Sequence, residues 1–365
     1  MDFAFSEEQQ MLRDAVASWT RDRLPEGRAA ELATGDEGWD PSSLPEMAEL
    51  GWTGLALPES AGGAGMGFLD EAVVIEELGR ALYPGPYWSS VALAAPALRD
   101  REGYLGRIAG GEAATLAWAE PDGPYLFADL ESVGTKAAQD GGDWTLTGEK
   151  DVVPDLGACA FVVVAARSAD GLGLWAVETS DASMSVLPTV DATRRLGRLS
   201  LDGAPAELVV EPGPAAGVLE QARLRALAAL SVEAVGLASA VVDMARGYVS
   251  ERKQFDKPIG TYQAVSHQVT DAYTAVELAR SLAYWAAWCV DEADEGAPAA
   301  VAAAKSAAGE AAVFACERAI QVHGGVGFTW EHVLHRYYKR AQWIDAFEGP
   351  GSRQREIVAA RLLDG

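Results

Sequence analysis

The chain has 365 residues, 49% apolar and 23% charged, which suits a globular protein of two or three domains. Its net charge of −25 sets a field that repels nucleic acid and anionic membrane, so any anionic ligand needs a locally built cationic site. Three scattered cysteines, Cys159, Cys289 and Cys316, form no CxxC pair and read as small core residues in a reducing, cytoplasmic setting.

The opening MDFAFSEEQQMLRD has no basic stretch followed by an apolar core, so it does not read as a secretory signal, and no apolar run approaches the ~20 residues that span a bilayer. Residues 1–112 read as a helical domain. Ser6 followed by Gln9 forms a capping-box pattern, and Met11, Leu12, Val16 and Trp19 fall on one helical face. GWTGLALPESAGGAGMGF, 51–68, is a glycine-rich break between helices. It lacks both the Lys-Ser/Thr ending of a P-loop and a GxGxxG after a strand, so it does not read as a phosphate cradle.

Residues 113–213 change character. TLAWAEP, VGTKAAQ, DWTLTGEK, FVVVAARS, LGLWAVET and MSVLPTV are short strand-like runs punctuated by Gly, Asp and Pro, the pattern of a small antiparallel barrel or sandwich. Residues 214–365 return to long helices. Leu227, Leu230, Ala234, Leu237, Val241, Met244 and Tyr248 step by three and four, and further helices are expected at about 262–292 and 298–322. The predicted class is α+β: an N-terminal helical domain, a small β-domain and a C-terminal four-helix bundle that leaves apolar surface for another subunit.

Three segments carry candidate chemistry. SERKQFDKPIGTYQAVSHQ, 250–268, gathers Arg252, Lys253 and Lys257 at a turn between helices, where fixed cations can hold a phosphate. IQVHGGVGFTWEHVLHRYYKRA, 320–341, holds a glycine pair that permits close approach of a ligand. Its His323, His332 and His335 lack the spacing of a metal helix and read as packed or hydrogen-bonding side chains; no metal is expected. DAFEGPGSRQREI, 345–357, places Glu348 before a Gly-Pro-Gly break, with Ser352 as the expected cap of a new helix.

In order and spacing, ERKQFDKPIGTYQAVSHQ, QVHGGVGFTWEHVLHRY and FEGPGSRQREIVA resemble the acyl-CoA dehydrogenase flavoproteins. SEEQQMLRD and GWTGLALPESAGGAGM extend the resemblance over nearly the whole chain. GFTWEHVLHRY looks most like short actinobacterial members, several of which act in steroid side-chain breakdown with a related second subunit.

The resemblance implies FAD as cofactor, an acyl-CoA or acyl-carrier thioester as substrate, and an electron-transfer flavoprotein as acceptor. It also implies a homo- or hetero-oligomer, dimer or tetramer. Arg252, Gln254 and Phe255 match the flavin-dinucleotide segment, with Arg252 at the pyrophosphate. Gln321, Gly324 and Gly325 match the segment that approaches the adenosine half of a neighbouring subunit's flavin. Glu348 falls on the catalytic base, which removes the α-proton while flavin N5 takes the β-hydride. The family's other base position falls on Ala226.

Several positions depart from the family pattern: Ala119 and Tyr125 in AEPDGPYLFAD, Val152 and Pro154 in VVPD, Asp256 in QFDKP and Pro350 in EGPG. Most of them remove flavin hydrogen bonds on the ring side, which suggests one half of a heteromeric dehydrogenase. Two further readings stay open. One is a flavin monooxygenase or oxidase on the same fold; the other is a non-catalytic subunit that stabilises a catalytic paralogue.

Overall fold

The structure is a computed structural model that describes residues 5–25, 27–98, 100–121 and 130–363. Along the chain run helices α1 (Glu7–Arg23), α2 (Arg28–Thr34), α3 (Ser43–Glu49), α4 (Phe68–Arg80) and α5 (Glu102–Ala109). Strands β1 (Ala114–Ala117), β2 (Lys136–Asp140), β3 (Asp143–Pro154), β4 (Phe161–Ser168), β5 (Gly171–Glu178), β6 (Ser183–Leu187) and β7 (Leu196–Val210) follow. Then come α6 (Ala215–Glu251), a hairpin of β8 (Lys253–Gln254) and β9 (Lys257–Pro258), and helices α7 (Gln263–Asp291), α8 (Ala297–His323), α9 (Leu334–Ala346) and α10 (Gly351–Leu363). Tyr125 lies outside the described residues.

The chain forms two compact units. One comprises Met1–Glu31, Phe68–Tyr83 and Leu227–Gly365; the other comprises Leu32–Gly67 and Pro84–Ala226. In the first, the capping box forms as expected: the Ser6 hydroxyl accepts from Gln9 N–H at 3.1 Å, and Gln9 Oε1 accepts from Ser6 N–H at 3.1 Å. α6 is buried all round from Leu227 to Val242. The expected apolar stripe thus widens to the full circumference of a central helix. Within this unit α6 meets α7 through Arg280 Nη2 to Ser239 Oγ at 2.7 Å, α8 through Tyr248 stacked on His323 at 4.3 Å, and α9 through Arg340 Nη1 to Glu233 Oε1 at 2.5 Å.

Among the described residues two helical segments, Ala215–Glu251 and Ala297–Phe328, are long and apolar enough to cross a bilayer by length and composition. This corrects the expectation that no stretch approaches that length. In their most apolar windows 83% and 67% of residues are buried inside the fold, as in core helices packed on protein.

In the second unit β4 pairs with β1, β2 and β5, while β3 and β5 pair with β7; β2 pairs with β3, and the circuit closes into a small barrel. The pairs are antiparallel except β1–β4 and β2–β4. Closure removes the edges of the five strands in the circuit, while β1 on β4 and β6 on β7 lie outside it. Leu146, Val162, Val164, Trp175, Val177 and Leu199 fill the interior, and Trp144 packs on Trp175 at 5.4 Å. The register of β3 on β7 shifts between Lys150 and Val153, and Val152 sits there at φ +49°. An extra residue in one strand re-aims the chain at this point.

Candidate active site

Glu348 occupies the turn between α9 and α10. The end of α9 closes through Phe347 N–H to Trp343 O at 3.0 Å and Gly349 N–H to Ala346 O at 3.0 Å. The chain then enters the left-handed region at Glu348, φ +59°, and Gly349, φ +94°. Glycine adopts that region freely. A side-chain-bearing residue there costs of order 1 kcal/mol, so the surrounding packing must impose it.

Pro350, with its fixed φ, starts α10: its carbonyl accepts from Arg353 N–H at 2.9 Å and Gln354 N–H at 3.2 Å. α10 therefore begins at Gly351. Ser352 lies inside the first turn and is not the cap, which corrects the sequence expectation.

The imposing groups come from α8 and α10. Gln354, 1% exposed, donates Nε2–H to the carbonyls of Glu348 at 2.8 Å and Gly349 at 3.3 Å. Lys305 of α8, fully buried, donates to Asp345 O at 3.0 Å. Ser306 donates to Gly351 O at 3.2 Å and accepts from Arg355, which also pairs with Glu310. A Cβ on Gly351 would lie 2.4 Å from Glu310 Oε1, so α10 starts with its backbone against α8. Glu348 itself is 6% exposed.

Burial lowers the Lys305 ammonium to about 8, and the negative charges of Asp345 and Glu348 act against that fall. Elsewhere in this unit, buried carboxylates pair with guanidinium groups: Glu76 with Arg13 and Arg280, Glu77 with Arg13 and Arg80, Glu233 with Arg340. Neither Lys305 nor Gln354 was singled out from sequence. Lys305 sits in the alanine-rich run AAAKSAAGEAA and Gln354 in a polar run after the turn, and neither stretch marks a polar side chain as buried.

The other predicted residues gather at the far ends of α6 and α8. Arg252 follows the last residue of α6; its N–H bonds Tyr248 O and its carbonyl accepts from Ile259 N–H, both at 2.8 Å. Gln254 and Phe255 follow in the hairpin, whose turn residues Phe255 (φ +52°) and Asp256 (φ +64°) are both left-handed. That is the backbone of a tight two-residue turn, and it leaves the Phe255 ring 87% exposed.

His323 is buried and bonds Ala319 O through Nδ1 at 2.7 Å. Its ring stacks on Tyr248 and meets His332 edge-on at 4.8 Å. His335 meets Trp330 edge-on at 4.6 Å. These histidines are packed side chains, and among the described residues no cluster of His, Cys, Asp or Glu could hold a metal. The Tyr248–His323 stack brings Arg252, Gln254 and Phe255 to the same end of the bundle as Gln321, Gly324 and Gly325. Gln321, Gly324 and Gly325 are exposed, and a Cβ on either glycine would meet open space. Glu348 stands apart. Lys305 lies 18 residues before His323 on α8, about 27 Å at the helical rise.

In the barrel unit, Glu120 accepts from Gly134 N–H at 2.8 Å, Thr135 N–H at 2.9 Å, Thr135 Oγ1 at 2.6 Å and Lys150 Nζ at 2.7 Å. Burial raises the Glu120 carboxyl, but Lys150 and Thr135 outweigh it and hold the group below its usual range. Ala119, Val152 and Pro154 offer no side-chain donors. Ala226 is buried, and its carbonyl accepts from Trp88 Nε1 at 3.1 Å.

These residues divide when tested against an FAD dinucleotide. The exposed Arg252 guanidinium and the open space over Gly324 and Gly325 fit a pyrophosphate and adenosine lying on the surface. Ala119, Val152 and Pro154 of the barrel unit, which the family resemblance assigns to the flavin ring, carry no side-chain hydrogen-bonding groups.

Comparison with known proteins agrees along the chain. Residues 6–109 match the acyl-CoA dehydrogenase N-terminal domain and residues 217–363 the acyl-CoA dehydrogenase C-terminal domain. The chain is 33% identical to acyl-CoA dehydrogenase IpdE2 of Mycobacterium tuberculosis, over 92% of this chain and 91% of that protein. Among solved structures it resembles the Tcur3481-Tcur3483 steroid ACAD, with TM-score 0.86, 30% identity and 98% of each chain covered. It also resembles the ChsE4-ChsE5 complex from Mycobacterium tuberculosis, with TM-score 0.88, 27% identity and 100% of each chain covered. The chain belongs to the acyl-CoA dehydrogenase family and is an oxidoreductase of acyl-CoA thioesters with FAD as the family's cofactor.

Proposed function

We propose that this chain is the base-bearing subunit of a heteromeric acyl-CoA dehydrogenase, and that Glu348 removes the α-proton of the thioester. The observation that carries the reading is the Glu348 turn. Glu348 is buried at a left-handed φ, its backbone carbonyl accepting from Gln354 of one helix while Lys305 of another donates to the Asp345 carbonyl three residues earlier. A carboxylate shielded from water is a stronger base than a solvated one, and the α-proton of a thioester is only weakly acidic. Glu348 takes that proton as the α-carbon lends its electron pair to the new Cα–Cβ double bond. Ala226, at the family's other base position, has a methyl group that cannot accept a proton.

Bound FAD would supply the acceptor for the β-hydride, and its two electrons would in this reading go to an electron-transfer flavoprotein. Arg252, Gln254 and Phe255 would hold its pyrophosphate region, while Gln321, Gly324 and Gly325 would receive the adenosine half of a neighbouring chain's cofactor. The absence of side-chain donors at Ala119, Val152 and Pro154 supports a flavin site completed by a related second chain. Similarity to a steroid ACAD supports a bulky, steroid-derived acyl group, and buried free thiols at Cys159, Cys289 and Cys316 support a reducing cytoplasmic setting.

The test is Glu348→Gln in the co-purified complex, with flavin content measured alongside turnover. The expected result is normal flavin and a fall in kcat of about 10²- to 10⁴-fold, the usual worth of a general base. Retained turnover would remove Glu348 from the chemistry. Flavin per chain separates the assembly: low occupancy alone and full occupancy with the second chain is expected, and tight full occupancy in the lone chain would reject the heteromer.

A further inference from the structure

A lysine is costly at position 305. Its side chain is fully buried on α8, a helix whose Val301, Ala302, Ala304 and Ala308 are buried as well, and an apolar residue would serve the packing better. The ammonium donates to the Asp345 carbonyl at 3.0 Å, at the last turn of α9 and three residues before the base. On the elements packed against α8, Arg280 of α7 pairs with Glu76 and Glu277, Arg340 of α9 with Glu233, and Arg355 of α10 with Glu310. The charges that act on Lys305 are those of Asp345 and Glu348.

We propose that Lys305 is a positioning residue for the base: it fixes the end of α9 through the Asp345 carbonyl, and its charge keeps Glu348 ionised inside the fold. This rests on the reading of Glu348 as base. Burial alone would drive a carboxyl group toward its neutral form, in which it cannot take a proton. A cation whose field reaches it offsets that drive, and the charges of Lys305 and Glu348 interact. Burial lowers Lys305 to about 8, which leaves it mostly charged at neutral pH. The carbonyl bond and the charge are separable, because glutamine can keep a donor without the charge and methionine keeps neither.

The experiment compares wild type, Lys305→Gln and Lys305→Met as flavin-loaded complexes. The first readout is the pH titration of the carboxyl infrared band that disappears in Glu348→Gln. The second is the pH profile of kcat/KM with an acyl-CoA that the wild-type enzyme turns over, whose acid limb reports the free enzyme's base. Removing a cation raises a neighbouring carboxyl pKa, so the band midpoint and the acid limb should both move up by about one pH unit in both variants. Plateau kcat should fall further in Lys305→Met than in Lys305→Gln. A band midpoint at the wild-type value in both variants would overturn the proposal. So would failure of Lys305→Gln to give a folded, flavin-loaded complex, since that would assign the lysine to the core alone. If Glu348→Gln keeps its turnover, the base reading fails instead, while the infrared titration still measures the lysine's effect on the carboxylate.

Discussion

The two ends of α8 are built on opposite principles. Near Lys305 the chain closes on itself: Glu348, Gly349 and Gln354 are buried, and the carbonyls of Asp345, Glu348, Gly349 and Gly351 accept bonds from side chains of α8 and α10. Near Gly324 it opens outward, with Phe255, Phe328 and Trp330 at 87%, 74% and 76% exposure and a glycine pair facing open space. The turn at Glu348 is over-determined by its own chain. A surface that receives a ligand or a neighbouring chain keeps its apolar and cationic groups exposed. Rigidity and openness are separated by about 27 Å along one helix.

Gln354→Leu should break the closed end most severely. It removes the donor to two carbonyls and leaves them buried, which costs about 2 kcal/mol of stability. With the turn released, Glu348 has less to hold it at φ +59°, so kcat should fall about 10-fold or more while flavin binding stays near wild type. Denaturant unfolding and single-turnover flavin reduction measure the two effects. An unchanged kcat in a destabilised variant would show that the bonds to the turn serve stability alone.

Arg252→Gln probes the open end and should give the reverse pattern. A lost charge-assisted bond to phosphate weakens flavin binding by about 10-fold. Arg252 is exposed, so unfolding should move little. Loss of stability without loss of flavin would contradict the contrast between the two ends.

The same contrast explains what the sequence made legible. The capping box at Ser6–Gln9 is local, and it formed as written. Helices expected at 262–292 and 298–322 run Gln263–Asp291 and Ala297–His323, because long periodic segments declare themselves. Strands β1 to β6 are readable as short runs bounded by Gly, Asp and Pro, whereas β7, Leu196–Val210, is not among those runs. The parallel pairing of β1 with β4 is not readable, since register between distant strands leaves no local mark. Glu348 stands out in the sequence through its motif and the Gly-Pro-Gly break, and the structure places it in a buried turn. Its supports, Lys305 and Gln354, come from 43 residues before and six after it, in stretches whose composition gives no sign of burial. Ser352 misled for a physical reason: a hydroxyl beside a helix start resembles a cap, but Pro350 already supplied the first carbonyl.

The smallest expected effect is at Asp256, beside Arg252, Lys253 and Lys257 in the hairpin. Its φ of +64° suits glycine, yet Asp tolerates the left-handed region better than most residues. Asp256→Gly therefore gains a little by relieving the backbone and loses a comparable amount, about 0.5–1 kcal/mol, by loosening the unfolded chain. Stability should stay close to wild type. The charge change has no such offset, because removing a carboxylate next to three cations makes the surface more favourable to a pyrophosphate. Flavin affinity should rise about two- to five-fold at low salt and by less at high salt, where exposed charges are screened. A gain that ignores ionic strength would trace to the backbone, and a loss would show that Asp256 holds the hairpin in its binding shape.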